Sequence, residues 1–352
     1  MKKLFLAMLV LSSLLLLAAC NLQGDGTQAA AKPGEERADA AQSGQTTQAQ
    51  YDWSVPQVVY QRGGKIHFHD PASGRQRILE DETGEVFNLV FDPRRQTLYY
   101  TVVRDGMLGL RKATLSDGKL KLQTLKGLEL EKDAFVVDIH GEYSELQLVG
   151  EKLVLMGGFN YDVYNFSQYN IYSPQDDAWI SADSTANIRD LLDGMEPWDM
   201  DARQPFETRN QQLFYTGAGK PVAVGNQLQL ALDPEHGEEE ISYFGLMVSP
   251  DGDKVAFNAV LEIVDLAHGP LCIANADGSG QRILSKDGMS RLWSSPQWLG
   301  SQLVFLDQFE EGRLAEGEGE GQGRLMISQG SDNAVKLLAE KVRGFTVIPG
   351  EG

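Results

Sequence analysis

The chain has 352 residues, of which 42% are hydrophobic and 23% are charged, so most of it can bury a core. Its 50 aspartates and glutamates outnumber its 31 lysines and arginines, which gives a net charge of −19. A surface this acidic repels phosphate backbones, so we predict no nucleic-acid binding. Two cysteines exclude a disulfide scaffold and a four-thiolate metal site.

The first twenty residues have the pattern of an export signal. Lys2 and Lys3 form a basic start, and residues 4–17 form an apolar run that only two serines interrupt. This run is shorter than the roughly 20 residues that span a bilayer, but it has the length of the hydrophobic part of a signal peptide. We therefore predict that residues 1–19 are a signal peptide that is cleaved.

The apolar run ends in the tetrad Leu17-Ala18-Ala19-Cys20, which resembles the lipobox of bacterial lipoproteins. The resemblance implies cleavage before Cys20, and attachment of a diacylglycerol and a further acyl chain, such as palmitate, to that residue. Each buried methylene adds about 0.8 kcal/mol to membrane binding, so the lipid would hold the protein on the extracytoplasmic face of a membrane or cell envelope. An ordinary secretory signal with a chance cysteine is the alternative.

The segment after the lipobox has the composition of a disordered tether. Residues 21–50 are rich in Ala, Gln, Thr and Gly and contain no aromatic residue, Val or Ile. Such a segment cannot bury enough apolar surface to offset its ordering entropy. We predict that residues 20–50 comprise the lipidated Cys20 and a disordered tether, and that residues 51–352 form the folded domain.

The remaining sequence repeats a pattern of strand, turn and strand. The clearest copy is SPDGDKVAF at residues 249–257, where turn-forming Pro-Asp-Gly precedes an apolar strand, and a second copy begins at Asp92. A second motif follows as FHDPASGRQRIL at residues 68–79, IANADGSGQRIL at 273–284 and ISQGSDNAVKLL at 327–338. These recurrences predict a repeating unit of four strands.

Six such units account for the domain. Their equivalent apolar positions are Val58, Leu98, Leu153, Leu213, Val255 and Leu303. This spacing is near that of propeller blades, which have roughly 40–50 residues and four strands. One of the two longer intervals contains residues 187–192, which could form a short helix.

The first unit lacks an obvious innermost strand, and residues 343–349 at the C-terminus supply a spare one. We therefore predict an all-β fold: a six-bladed β-propeller of four-stranded antiparallel blades, closed by the C-terminal strand joining the first blade. A pair of β-sandwiches, and a propeller of five or seven blades, are the alternatives.

The unit at residues 249–284 resembles the WD40-like repeats of the TolB propeller family, in which SPDG precedes one strand and a motif close to DADGSN precedes another. The matching residues are Ser249, Pro250, Asp251, Gly252, Phe257, Ala276, Asp277, Gly278 and Ser279. The resemblance covers about residues 55–349 and implies a six-bladed propeller. A lipobox and tether stand where the family has an extra N-terminal domain, so we transfer the architecture and not the Tol partners.

Candidate sites are few. His67 and His69 alternate with apolar Ile66 and Phe68, so we predict that both imidazoles lie on an exposed strand face rather than in a metal site. The sequence contains none of the common catalytic, nucleotide-binding or zinc-binding motifs, and we predict no cofactor and no metal.

The most distinctive stretch interleaves aromatic residues with amides. The candidate ligand-binding surface that it suggests consists of Tyr161, Tyr164, Phe166 and Tyr169. Such rings could stack on sugars or anchor a peptide. The same alternation is also typical of an ordinary strand.

Two functions are consistent with these features. The first is a membrane-anchored, non-catalytic propeller scaffold that binds a partner protein or an envelope glycan. The second is a carbohydrate-active or lactone-processing propeller enzyme with its site in the central channel. A sensor for a surface signalling system is a third possibility, and fold class alone does not decide among them.

Overall fold

The computed structural model describes residues 50–105, 107–125, 130–131, 145–160, 165–182, 188, 190–194, 204–225, 241–261, 270–285, 296–307 and 323–351. The predicted signal peptide, Cys20 and all of the tether except Gln50 lie outside these residues, so these boundaries stay predictions. By its internal contacts the chain divides into Met1–Thr46 and Thr47–Gly352, and only the second unit contains described residues.

Regular structure in the described residues is almost entirely antiparallel β-sheet, which confirms the all-β part of the predicted fold class. One helical turn is present near the predicted short helix, where the Leu192 N–H donates to the Ile188 carbonyl at 2.9 Å. No helix among the described residues is long and apolar enough to cross a bilayer.

The strands form successive antiparallel meanders, which we number as units 1 to 6 in chain order. Unit 1 contains β1 (Gln57–Arg62), β2 (Lys65–His69) and β3 (Gln76–Ile78). Unit 2 contains β4 (Glu85–Asp92), β5 (Thr97–Arg104), β6 (Met107–Ser116) and β7 (Lys119–Thr124), with the short β8 (Leu130–Glu131) beside β6. Unit 3 contains β9 (Glu145–Val149), β10 (Lys152–Asn160), β11 (Asn165–Ser173) and β12 (Ala178–Ala182).

The second half of the chain continues this pattern. Unit 4 has three described strands, β13 (Phe206–Arg209), β14 (Gln212–Tyr215) and β15 (Val222–Ala223). Unit 5 contains β16 (Ile241–Val248), β17 (Lys254–Leu261), β18 (Leu271–Asn275) and β19 (Arg282–Ser285). Unit 6 contains β20 (Gln297–Leu299), β21 (Gln302–Asp307), β22 (Gly323–Gln329) and the first part of β23 (Ala334–Ile348).

The repeated Pro-containing motifs form tight turns, as the sequence predicts. Between β16 and β17, the Ser249 hydroxyl donates to the Asp251 carboxylate at 2.5 Å and accepts from the Lys254 N–H at 2.9 Å. In the matching turn of unit 2, the Asp92 carboxylate accepts from the N–H groups of the next two arginines along the turn. Short polar side chains thus satisfy the turn backbone and set the register of each hairpin.

The last strand belongs to two units. Residues 334–339 of β23 pair with β22, and residues 342–348 pair with β1, with Val58 opposite Val347. Lys341, between the two parts, has a φ of 57°. The C-terminal strand therefore lies where the sequence predicts it, and it joins units 6 and 1 into one seven-stranded sheet.

Both faces of the unit 1 sheet are buried. Successive residues of a strand point to opposite faces. Val59 packs with Leu98 of unit 2, whereas the next residue, Tyr60, packs with Val304 of unit 6. Unit 1 is therefore packed between two neighbouring sheets.

The other units pack face to face in the same way. The pairs of units 2 and 3, 4 and 5, and 5 and 6 share hydrophobic cores, represented by Tyr99 with Leu153, Leu213 with Phe257, and Ile273 with Phe305. The other face of unit 3 is covered by Ile188 and Leu192 of the helical turn.

Two-sided burial corrects the prediction for the histidines. His69 is only 6% exposed, and the half-buried His67 ring stacks on Tyr60 with 5.0 Å between ring centroids. The prediction of an exposed face is wrong because alternation marks a solvent-facing side only where one side of the sheet is open to water.

Candidate functional site

The two ends of the sheets, which we call the tight-turn end and the long-connection end, differ in the connections that they carry. In an antiparallel meander, the turns from the first to the second strand and from the third to the fourth lie at one end, and the remaining connections lie at the other. The first group is short, as at residues 93–96, 117–118, 150–151 and 300–301. The second group contains the long connections, including residues 183–205, 286–296 and 308–322.

Neighbouring units contact each other through like ends. The guanidinium groups of Arg94 and Arg95, in a tight turn of unit 2, lie 3.3 and 3.6 Å from the carboxylate of Glu151 in a tight turn of unit 3. The Lys254 ammonium of unit 5 donates to Asn333 in a tight turn of unit 6 at 2.7 Å. These contacting units are therefore oriented the same way.

The folded part of the chain begins and ends at the tight-turn end. The Tyr51 N–H donates to the carbonyl of Gly118, in the turn between β6 and β7, at 2.8 Å. The Glu351 N–H donates to the Ser54 carbonyl at 2.9 Å. Tyr51, near the start of the described chain, is thus held at this end.

A β-bulge at the long-connection end redirects one side chain. Gln61 pairs with Gly344 but Arg62 pairs with Val342, which leaves Arg343 as the extra residue of β23. A bulge interrupts the alternation of a strand and can turn a side chain to the other face. Here it directs Arg343 toward β4 of unit 2.

Arg343 meets two residues at the start of β4. Its Nη1 atom lies 3.5 Å from the carboxylate of Glu85, and its Cζ atom lies 5.8 Å from the centre of the Phe87 ring. Phe87 itself lies in a second bulge, where the register with β5 shifts between Val86 and Leu89. We call Glu85, Phe87 and Arg343 the first-strand cluster, because they lie on the first strands of units 1 and 2.

A buried carboxylate lies beside this cluster. Glu82, in the connection between β3 and β4, is fully buried and accepts hydrogen bonds from the Tyr100 hydroxyl at 2.8 Å, Arg111 at 2.5 Å and the Gly84 N–H at 3.0 Å. Arg104 lies 3.3 Å from Oε1, the oxygen that also accepts from Gly84, whereas Tyr100 and Arg111 donate to Oε2. We call these five residues the Glu82 network.

The electrostatics of the Glu82 network favour a charged carboxylate. Burial by itself raises the pKa of Glu82, but the hydrogen bonds from Gly84, Tyr100 and Arg111 and the charge of Arg111 outweigh it and lower the pKa below its ordinary value. Glu82 therefore stays ionised at neutral pH and ties the connection leaving unit 1 to the strands of unit 2.

The other two buried carboxylates of the described residues are held in a similar way. Asp92 pairs with Arg95 at 2.9 Å. Asp307 pairs with Arg324 at 2.5 Å and also accepts from the Ser285 hydroxyl. Both carboxylates are occupied by contacts within the protein, so this arrangement favours structural roles for both.

The predicted aromatic surface is only partly described. Tyr161 and Tyr164 lie outside the described residues, and so does the side chain of Phe166, whose backbone pairs with Phe159 in β10 and β11. Tyr169 is buried in the core of unit 3, and burial raises its pKa to about 12. The prediction is corrected at this residue: Tyr169 is a core side chain rather than part of an exposed surface.

Neither the thiol nor the histidines form a metal centre in the part of the chain that the structure describes. No group of three or more His, Cys, Asp or Glu side chains there is placed to hold a metal ion. Cys272 is fully buried, and burial raises the pKa of its thiol to about 12.

Sequence reasoning missed the first-strand cluster and the Glu82 network. Their residues come from four separate strands and one connection, and they form no contiguous motif. The one available signal is the alignment of Asp92-Pro93 with Ile348-Pro349 at the ends of two first strands, which places Phe87 and Arg343 at equivalent positions.

Comparisons with known proteins identify no family. No family model matches the chain, and no curated protein matches it. Among solved structures, TolB from Acinetobacter baumannii shares 12% identity at a TM-score of 0.43, over 84% of this chain and 67% of that one. A chain of a nidogen/laminin complex shares 12% identity at a TM-score of 0.33, over 84% and 100%.

Proposed function

We propose that the six units form a closed six-bladed β-propeller. The seven-stranded sheet that joins units 6 and 1, and the face-to-face cores between successive units, support a ring. The first strands of units 6, 1 and 2 are also linked in order. The Gln297 side chain accepts from the Val347 N–H at 3.1 Å, and the Thr346 hydroxyl accepts from the Phe91 N–H at 3.2 Å. Strands around a common axis would make such contacts, and a junction of units 3 and 4 would complete the ring.

We infer that this propeller is a non-catalytic scaffold, anchored through lipid on Cys20, that presents its long-connection end to a partner protein. One observation carries this proposal. The chain enters at the tight-turn end, whereas the first-strand cluster and the long connections lie at the opposite end. Connections on a rigid framework are the usual location of binding residues. Tyr51, where the described chain enters the domain, and the proposed binding face would then lie at opposite ends of the domain.

The side chains at the long-connection end suit a protein partner. Arg104 is 52% exposed, and Arg343 rests over the half-buried Phe87 ring. Arginine and aromatic residues are enriched in protein interfaces and account for much of their binding energy. Packing against Phe87 also restricts Arg343, so less side-chain entropy would be lost on binding.

Replacement of Cys20 tests the anchor. We expect Cys20→Ala to abolish metabolic labelling with palmitate and to move the protein from the membrane pellet to the soluble fraction. Cys272→Ala is the matched control and should retain both label and membrane location, because that thiol is buried in unit 5. If the Cys20→Ala protein were still labelled and membrane-bound, the proposal of a lipid anchor on Cys20 would be contradicted. The proposal about the binding face would not be affected by that result.

Site-specific cross-linking in cells tests the binding face. A photoreactive amino acid at Arg104, at the long-connection end, should give a discrete cross-linked protein, and the same group at the exposed Ser301, in a tight turn, should not. Arg343→Ala should reduce the Arg104 product about tenfold, the effect of losing one interface hot spot. Cross-links from Ser301 alone would place the partner at the tight-turn end and contradict the proposed binding face. No cross-link, together with turnover of a glycan or lactone by the purified protein, would favour the enzyme.

A further inference from the structure

The contact between units 1 and 6, which we call the closure seam, contains two histidines. His67 and His69 of β2 pair across the ladder with Tyr60 and Val58 of β1. Cross-strand partners share a face of the sheet, and both Tyr60 and Val58 pack into the core with unit 6. Both imidazoles therefore lie on the side of unit 1 that faces unit 6, where the two ends of the folded domain are joined.

His69 lies among groups that offer no free carboxylate. Its Nδ1 atom is 3.4 Å from the amide nitrogen of Gln76, and the charged groups that act on it are Lys336 of β23 and Asp70 of the adjoining turn. Asp70 already pairs with Arg75 and accepts from the backbone of its own turn. Burial mainly, and then Lys336, lower the pKa of His69, and Asp70 opposes this weakly.

His67 has a similar environment on the same face. Its ring is nearly parallel to that of Tyr60, with an interplanar angle of 9°. The charged groups near it are Arg62 of β1, which disfavours protonation, and Glu80, which follows β3 and favours it. The backbone of Arg62 hydrogen-bonds the ring and also favours protonation, but burial is the largest effect and lowers the pKa of His67.

We propose that the closure seam is pH-sensitive, and that protonation of His67 and His69 in mildly acidic solution loosens the contact between the first and last units. Two imidazolium ions would be enclosed between packed sheets, one of them beside Lys336 and the other near Arg62. Burying a charge is costly unless it is closely paired, and for both rings the effect of burial outweighs the attraction of the nearby Asp70 or Glu80. Opening the seam would hydrate both rings. This inference does not depend on the proposed lipid anchor or partner.

The sign of the pH effect follows from linkage. A histidine with a lowered pKa in the closed state binds protons first in the opened or unfolded state, where its pKa is about 6.5. The seam is therefore fully stable well above pH 6.5 and weakens as the pH falls through and below that value. Glu82 has a lowered pKa as well, so its contribution is lost only below about pH 4.5, its ordinary value. As the pH falls below 6.5, the histidines are therefore affected before Glu82 is.

Hydrogen exchange on the full-length protein tests the seam. Exchange rates are first corrected for their intrinsic pH dependence. We then expect the protection factors of amides in β1 and in residues 342–348 to be about threefold or more lower at pH 5.5 than at pH 7.5. Amides of β5 and β6, which pair within unit 2, are the internal control and should change less than about 1.5-fold. His67→Gln/His69→Gln, which keeps polar side chains of similar size, should abolish the difference at the seam.

A second variant keeps the test decisive if the double variant folds poorly. Lys336→Met removes the cation that faces His69, so it should reduce the acid-induced opening while leaving exchange at pH 7.5 unchanged. Equal protection of the seam at both pH values would overturn the proposal. So would an acid effect that persists in the histidine variant, or one that is equally large in β5 and β6.

Discussion

Replacing Glu82 with glutamine should destabilise the domain by about 3 kcal/mol, the low end of the cost of removing one partner from a buried ion pair. The Glu82 network loses its only carboxylate, which leaves the mostly buried Arg111 without a counter-charge and weakens the bond from Tyr100. Glutamine has nearly the same size, so little of the loss would come from an empty cavity. Urea unfolding followed by tryptophan fluorescence measures the change.

A surface ion pair provides the matched control for Glu82. Glu151 pairs with Arg94 and Arg95, but its side chain is 59% exposed, so Glu151→Gln should cost less than about 0.5 kcal/mol. The wild-type protein should also lose stability below about pH 4.5, where Glu82 begins to be protonated in the unfolded chain, and Glu82→Gln should lose less. A Glu82→Gln protein within about 0.5 kcal/mol of wild type would show that the network contributes little.

Removal of residues 342–352 should prevent the domain from folding as one cooperative unit. The deletion exposes the edge of β1 that pairs with β23 and removes the buried side chains of Val342, Phe345 and Ile348. Each such side chain contributes about 2 kcal/mol by burial, so the sum is comparable with the total of about 5–15 kcal/mol that stabilises a typical domain. Soluble yield and the urea unfolding transition measure the effect.

Two comparisons separate strand loss from general damage. Leu337→Ala lies in the same strand at an exposed position, so its cost should stay below about 1 kcal/mol. A synthetic peptide of residues 342–352 should restore part of the transition when it is added to the truncated chain, because it can pair with β1. A truncated chain that unfolds cooperatively within about 1 kcal/mol of wild type would contradict a closing role for β23.

The strands and turns could be predicted because their signals are local. Ser249, Asp251 and Gly252 form a turn through hydrogen bonds within the turn itself. The turn brings the apolar residues on either side together, so that they pair as two antiparallel strands. The position of the C-terminal strand could also be predicted. The first unit lacks one strand and the C-terminus has one that no other unit needs, so pairing of that strand with β1 is the simplest arrangement.

The environments of individual side chains could not be predicted. His69 and Tyr169 have the alternating pattern of exposed strand residues, and both are buried. The pattern is the same whether the second face of a sheet meets water or another sheet, so it does not distinguish the two.

The sequence alone determined the repeated turns, the all-β class and the distant strand that pairs with β1. Only the tertiary structure decided that Glu82 meets Arg111, that Arg343 stacks on Phe87, and that two histidines lie where the last unit packs on the first. The physical reason is the distance along the sequence over which each interaction acts. Turn and strand preferences act between neighbours in the chain, whereas burial and pairing of charge depend on sheets that arrive from elsewhere in the sequence.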